Sequence, residues 1–140
     1  LMKDGYIVQQ SSPRELYNNP SCVYAAQFIG TPQMNVLRDV LPDGKMLGFR
    51  PEKLYFGEMN VPHISISVRI ATKEMLGSEI IYSLNSRYGT LMAKTDWEKE
   101  TGEEVKIQVP FSAMYLFGAD EKRVELHDGE LEMIRTAFAE

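Results

Sequence analysis

The apolar positions of this chain change their spacing near residue 31. Upstream they fall among helix and turn signals. Leu1 to Gln10 predicts a hairpin, because Asp4-Gly5 is a favoured two-residue turn and Tyr6, Ile7 and Val8 favour extended backbone. Ser12-Pro13-Arg14-Glu15 predicts a helix start, with Ser12 as N-cap, Pro13 at the first helical position and Glu15 completing a capping box. Asn19-Pro20 closes that short helix and opens another, which carries Val23, Ala26 and Ile29 until Gly30 stops it.

From Thr31 the pattern becomes that of short strands. Pro42-Asp43-Gly44 signals a turn, and Lys45 to Arg50 a strand. Ile64, Ile66, Val68 and Ile70 alternate with Ser65, Ser67, Arg69 and Ala71, the clearest half-buried strand in the sequence, and Gly77-Ser78 turns it. Glu79 to Leu84 and Tyr88 to Ala93 predict a hairpin around an Asn85-Ser86-Arg87 tip. Val105, Ile107 and Val109 mark a further strand. Short strands with regular turn signals predict a mainly β fold, a small barrel. The end, 128–140, fits two readings: Leu131, Ile134 and Phe138 share a helix face, whereas His127-Asp128-Gly129 could turn a hairpin.

Gly48-Phe49-Arg50-Pro51-Glu52-Lys53-Leu54 predicts a strand that turns a corner. Pro51 fixes its own φ, lacks an N–H and biases Arg50 toward extended backbone. Arg50 and Glu52 then leave on one face, where they can anchor neighbouring backbone or each other on the surface. A weak internal echo aligns Phe49 to Tyr55 with Phe111 to Phe117 at an offset of 62, with Phe and Leu the only identities. It reads either as two unrelated strand ends or as two interlocked half-barrels.

Composition narrows the class. At 140 residues the chain has interior for one core, and 44% hydrophobic with 25% charged residues describes a folded domain. A net charge of -5 argues against a nucleic-acid partner, which would need a clustered basic face. Cys22 is the single cysteine, so no internal disulfide can form, and no stretch reads as a leader or a membrane span. These features predict a cytosolic protein, and the start at Leu1, without Met, reads as a piece of a longer one.

Ala26-Gln27-Phe28-Ile29-Gly30-Thr31-Pro32-Gln33-Met34-Asn35, then Gly48-Phe49-Arg50-Pro51-Glu52-Lys53-Leu54, then Leu76-Gly77-Ser78-Glu79 occur in that order. In this the chain resembles, from about Gly5 to Phe117, the C-terminal regulatory part of ATP-binding subunits of ABC importers of the maltose-type carbohydrate branch. That resemblance implies an oligosaccharide-binding-like (TOBE, OB-like) β-barrel. It implies three regions: 1–35 as the tail of the ATPase domain with linker helices, 36–127 as the barrel, and 128–140 as a C-terminal tail. Between Asn35 and Gly48 the chain is shorter than the family pattern, so the barrel is expected to be abbreviated at its start.

The resemblance further implies a homodimer, contact with the transporter's membrane subunits through the parent protein, and a place at the inner face of the cell membrane. A regulatory protein is a further possible partner. Phe28, Ile29, Met34, Phe49 and Phe117 are expected to supply a self-complementary interface, with Arg50, Pro51 and Glu52 holding the corner and Asn35 as a further anchor. Trp97, in the acidic run Asp96 to Glu104, either packs on the barrel end or anchors an interface.

Catalytic chemistry is not written in the sequence. A phosphate loop works through a ring of backbone N–H groups, so its glycines cannot be disguised, and no such run occurs. ATP and magnesium are expected in an ATPase domain outside this chain. His63 and His127, the two histidines, read as surface residues, Cys22 as a structural thiol, and no group of residues has metal-ligand spacing. No cofactor is expected in the chain itself. An alternative function, sensing of a small oxyanion, would draw on Ser65, Ser67 and Arg69 along one strand face.

Overall fold

The computed structural model describes residues 1–139. Two antiparallel sheets dominate, a mainly β architecture of the small OB-like kind. The N-terminal hairpin forms as expected: β1 (Met2–Lys3) pairs with β2 (Tyr6–Ile7). Asp4 and Gly5 both take positive φ, as a tight two-residue hairpin turn requires. Helix α1 (Pro13–Asn18) is capped by Ser12, whose Oγ accepts from the Glu15 N–H at 3.2 Å. Helix α2 (Val23–Phe28) starts at Cys22, an extended N-cap residue bridged to Lys122, and so this thiol sits at the helix edge rather than on it.

One sheet has the order β11-β10-β4-β3, the other β5-β9-β6-β7-β8. In chain order, β3 is Asn35–Leu37, β4 Met46–Phe49, β5 Tyr55–Phe56, β6 His63–Leu76, β7 Glu79–Ser86, β8 Gly89–Thr95, β9 Glu104–Pro110, β10 Met114–Phe117 and β11 Arg123–Val124. The alternation read in residues 64–70 is the first half of β6. Beyond it a register shift between Ile70 and Thr72 carries the strand on to Leu76. The β7–β8 tip is Arg87-Tyr88 rather than Asn85-Ser86-Arg87, because Ser86 still pairs with Gly89. Between Asn35 and Gly48 there is one three-residue strand and one 3-10 turn.

The internal echo is structural, at a different offset. Strand β4 leads through a 3-10 turn, Pro51–Lys53, into β5, and β9 leads through a 3-10 turn, Phe111–Ala113, into β10. The two turns start 60 residues apart, not the 62 that side-chain identity suggested. Each unit crosses between sheets in the opposite sense and pairs with the other, Phe49 with Met114 in one sheet and Tyr55 with Gln108 in the other. The two halves are therefore interlocked by a local pseudo-two-fold relation.

The C-terminal stretch is the helix α3 (Asp128–Ala137), not a hairpin. Its Ile134 and Phe138 enter the main core beside Leu37, Leu47, Phe49 and Leu116. Tyr88 closes over Phe138, with ring centroids 5.0 Å apart. A second, smaller cluster joins Val23 and Ala26 of α2 to Met34, just before β3, and to Met46 and Phe117 of the first sheet.

Candidate functional site

The seam between the two helices and the barrel is built by two arginines. Arg50, extended as Pro51 demands, ends β4 and points away from solvent. Its Nη1 donates to Ala26 O at 2.6 Å and Ile29 O at 2.8 Å, and its Nη2 to Tyr17 O at 3.0 Å. These carbonyls lie at the C-terminal ends of α1 and α2, where the last turn leaves acceptors unsatisfied and the helix dipole favours a cation. The guanidinium also lies 4.4 Å from the Tyr17 ring centroid. Glu52 accepts from the Tyr17 hydroxyl. Arg50 and Glu52 thus converge on one side, but Arg50 is 1% exposed, so the corner is an interior clamp and not the surface anchor expected. Burial lowers the Arg50 pKa, an effect opposed by Tyr115.

Arg123, on β11, repeats the arrangement at the other edge. It donates to Pro20 O at 3.1 Å, lies 4.6 Å from the Tyr115 ring centroid, and its backbone N–H reaches Ser21 O at 2.9 Å. The Tyr115 hydroxyl donates to Asn18 O at 3.0 Å. Gly30, at φ +110, passes so close that a Cβ there would stand 3.3 Å from Arg50 Nη1. The Gly-Thr-Pro phrase after α2 is therefore shaped by the clamp.

Asn35 is a third tie. Its side chain donates to Met92 O at 2.9 Å and accepts from Met92 N–H at 2.8 Å, joining β3 to β8 across the gap between sheets. Met34, Phe49 and Phe117 are buried, as is Pro51, and cannot supply an external contact surface. Ile29 is half-buried. Of the expected interface residues Phe28 stays open, at 60% exposure, and Trp97 is 52% exposed.

Trp97 borders a groove with Tyr55, Met59 and Val61, and its ring packs so near Gly57 (φ +91) that a Cβ there would meet it at 3.0 Å. Tyr82, fully buried, holds the Trp97 loop by donating to Trp97 O at 2.8 Å and accepting from Lys99 N–H at 2.7 Å. Lys73 and Glu98 pair at 2.8 Å, which raises the lysine pKa and lowers that of the carboxylate. Along the outer strand face, Ser65 donates to Gln108, and Arg69 stands opposite Glu104 in the β6–β9 register. That face is thus partly self-satisfied. His63 lies half-buried with Nδ1 2.8 Å from Val61 O, and His127 is exposed between Glu125 and Glu130.

Arg123, Tyr17 and Tyr82 had no signal in the sequence analysis. Arg123 follows the Gly118-Ala119-Asp120 turn without a motif, and the acceptors its side chain reaches lie more than a hundred residues away in the chain.

No family model matches the chain. The curated relatives it matches are named as ATP-binding proteins of transporters. The chain is similar to the sn-glycerol-3-phosphate import ATP-binding protein UgpC of Vibrio vulnificus, 27% identical over 152 residues that take in 90% of this chain and 41% of that protein. The UgpC of Rhodopseudomonas palustris is 32% identical over 124 residues, 79% of this chain and 34% of that protein. YcjV of Escherichia coli O157:H7, an uncharacterized ABC transporter ATP-binding protein, is 30% identical over 120 residues, 86% and 29%. The chain thus spans 41% or less of the length of these relatives. Among the described residues no group of three or more His, Cys, Asp or Glu could hold a metal, and no helix is long and apolar enough to cross a membrane.

Proposed function

We propose that this chain is the regulatory and dimerisation domain of an ATP-binding subunit in an ABC importer of the carbohydrate class. Nucleotide binding and hydrolysis, with ATP and magnesium, fall in this reading to an ATPase domain outside the chain, since the sequence holds no phosphate loop. The parent would sit at the inner face of the membrane, against the transporter's membrane subunits. Residues 1–35 would be the transmitting tail of the ATPase domain, 36–127 the regulatory barrel and 128–140 a C-terminal tail.

The observation that carries this reading is the double arginine clamp. Arg50, beside β4, and Arg123, on β11, tie α1, α2 and the chain between them to the first sheet of the barrel, and Tyr115 of β10 adds a bond to Asn18 O. An ATPase domain joined through them would move the barrel as one body. Met2, Tyr6, Ile7 and Phe28, each more than half exposed on the hairpin and α2, offer that domain an apolar face. At the opposite role, Trp97, Tyr55 and Val61 are exposed and of the types that anchor protein interfaces, so we assign the contact with a second copy to them.

A standing dimer contact makes each closure of paired ATPase domains intramolecular, with effective concentrations on the order of millimolar for short linkages. Sedimentation velocity across a concentration series tests the pairing. The chain is expected to pass from monomer to dimer in the micromolar range, and Trp97→Ala to shift that passage upward by about tenfold or more. A single monomeric boundary at every concentration would contradict the dimer.

A further inference from the structure

Strand β6 outruns one of its neighbours. It pairs with β9 only as far as Arg69 opposite Glu104, and the last backbone bonds on that side join Ile70 to Glu103 O and to the Gly102 N–H. After its register shift it runs on from Thr72 to Leu76 beside β7 alone. Gly77-Ser78 is a two-residue hairpin turn, so its closing pair, Leu76 with Glu79, exchanges backbone bonds, and by alternation so does Glu74 with Ile81. The N–H and C=O groups of Lys73 and Met75 therefore face the other edge, where no backbone group meets them among the described residues.

An edge of this kind is an incomplete ladder, ready to pair with another extended chain. Thr72, Glu74, Met75 and Leu76 are all exposed, the two apolar residues at 57% and 50%. A lysine often guards such an edge by standing off it. Here Lys73 is folded onto Glu98 at 2.8 Å, and its side chain is 17% exposed.

Charge selects the occupant. Glu74 has no ion-pair partner among the described residues, and the Lys73 ammonium, the one cation of the segment, is already matched by Glu98 with Glu100 nearby. A second copy fits poorly. Because successive residues face opposite edges, a two-fold axis between antiparallel strands must set one residue against its own copy. Centred on Lys73 or Glu74 that pairing opposes like charges, and centred on Met75 only Glu74 to Leu76 overlap. A different polypeptide escapes this constraint.

We propose that the open edge of β6 takes up an extended segment of another protein as an added strand. Main-chain bonds to Lys73 and Met75 hold it, a lysine or arginine of the segment stands opposite Glu74, and its apolar side chains cover Met75 and Leu76. The edge uses none of the residues that line the Trp97 groove, so the inference is independent of pairing between copies, which sedimentation reads separately.

Amide shift mapping and hydrogen exchange of the 140-residue chain, titrated with a synthetic peptide alternating valine and lysine and with one alternating valine and glutamate, test it. Saturable shifts centred on residues 71–76 are expected with the basic peptide, together with slowed exchange of the Lys73 and Met75 amides. The acidic peptide is expected to bind about fivefold more weakly or worse, and Glu74→Lys, at an exposed position, to reverse that order. Met75→Pro removes an outward N–H while leaving the bonds to β7 in place, and is expected to abolish binding. So is methylation of alternate amide nitrogens in the basic peptide, a control that leaves the protein unaltered. Absence of saturable shifts in residues 71–76 at peptide concentrations on the order of millimolar overturns the proposal. So do shifts centred on Trp97, binding that the methylated peptide retains, or protection of the Lys73 and Met75 amides that rises with chain concentration when no peptide is present.

Discussion

A guanidinium presents five N–H donors in a planar fork, and Arg50 directs two of its nitrogens at three carbonyls on two helices. Arg50→Ala leaves those acceptors buried without a donor and opens a hole beside Tyr17. We expect it to lower unfolding free energy by about 3 kcal/mol or more, read by urea denaturation. Arg50→Lys should recover less than half of that, because a single ammonium cannot reproduce the fork. Gly48 is constrained by space: a Cβ there would lie 2.6 Å from Met34 Sδ and 3.0 Å from Phe117 Cε2. Gly48→Ala is expected to cost about 1–3 kcal/mol by overpacking. The Phe-Arg-Pro-Glu corner was legible in the sequence because proline restricts its neighbour whatever surrounds it. The burial of Arg50 was not, since an arginine is normally at the surface and its partners are 21 to 33 residues upstream.

One residue-scale contact also has a pH signature. His127 Nδ1 lies 3.1 Å from Glu130 Oε1, and this contact lowers the Glu130 pKa. A carboxylate whose folded pKa is depressed contributes to stability above its ordinary range and loses that contribution as pH falls through the lowered value. The Glu130 carboxyl resonance should therefore titrate below the ordinary glutamate midpoint, and His127→Ala should bring it back up.

At the scale of elements, the two crossing units show why patterns of identity mislead in short strands. Phe49 and Phe111 align by type, yet Phe49 is fully buried at the end of β4 whereas Phe111 opens a 3-10 turn and is only partly covered. Backbone role, strand then 3-10 turn then strand, sets the true equivalence. Alternation in β6 was readable because one face meets the core and the other water. The choice of helix for α3 was not, since it depends on Ile134 and Phe138 joining the main core, where Tyr88 packs against Phe138. Ile134→Ala is expected to destabilise the fold by about 2–5 kcal/mol in urea and to loosen Phe138 with it.

At the scale of the whole molecule, the expected break between a helical lead-in and a barrel does not mark a loose joint. The helix carrying Val23 and Ala26 could have packed elsewhere, swapped to a neighbour or frayed. Instead it closes over Met34, Met46 and Phe117, and the arginines secure its ends. The sequence signalled both bodies but not the weld, because the weld is made of side chains that meet only once the chain has folded.

Native-state hydrogen exchange, followed amide by amide, addresses this weld most directly. If the helices and barrel are one body, amides of residues 13–28 exchange as slowly as a cooperative unit with β4 and β10, and Arg50→Lys accelerates them selectively. Fast exchange throughout residues 13–28 while the barrel stays protected would contradict it.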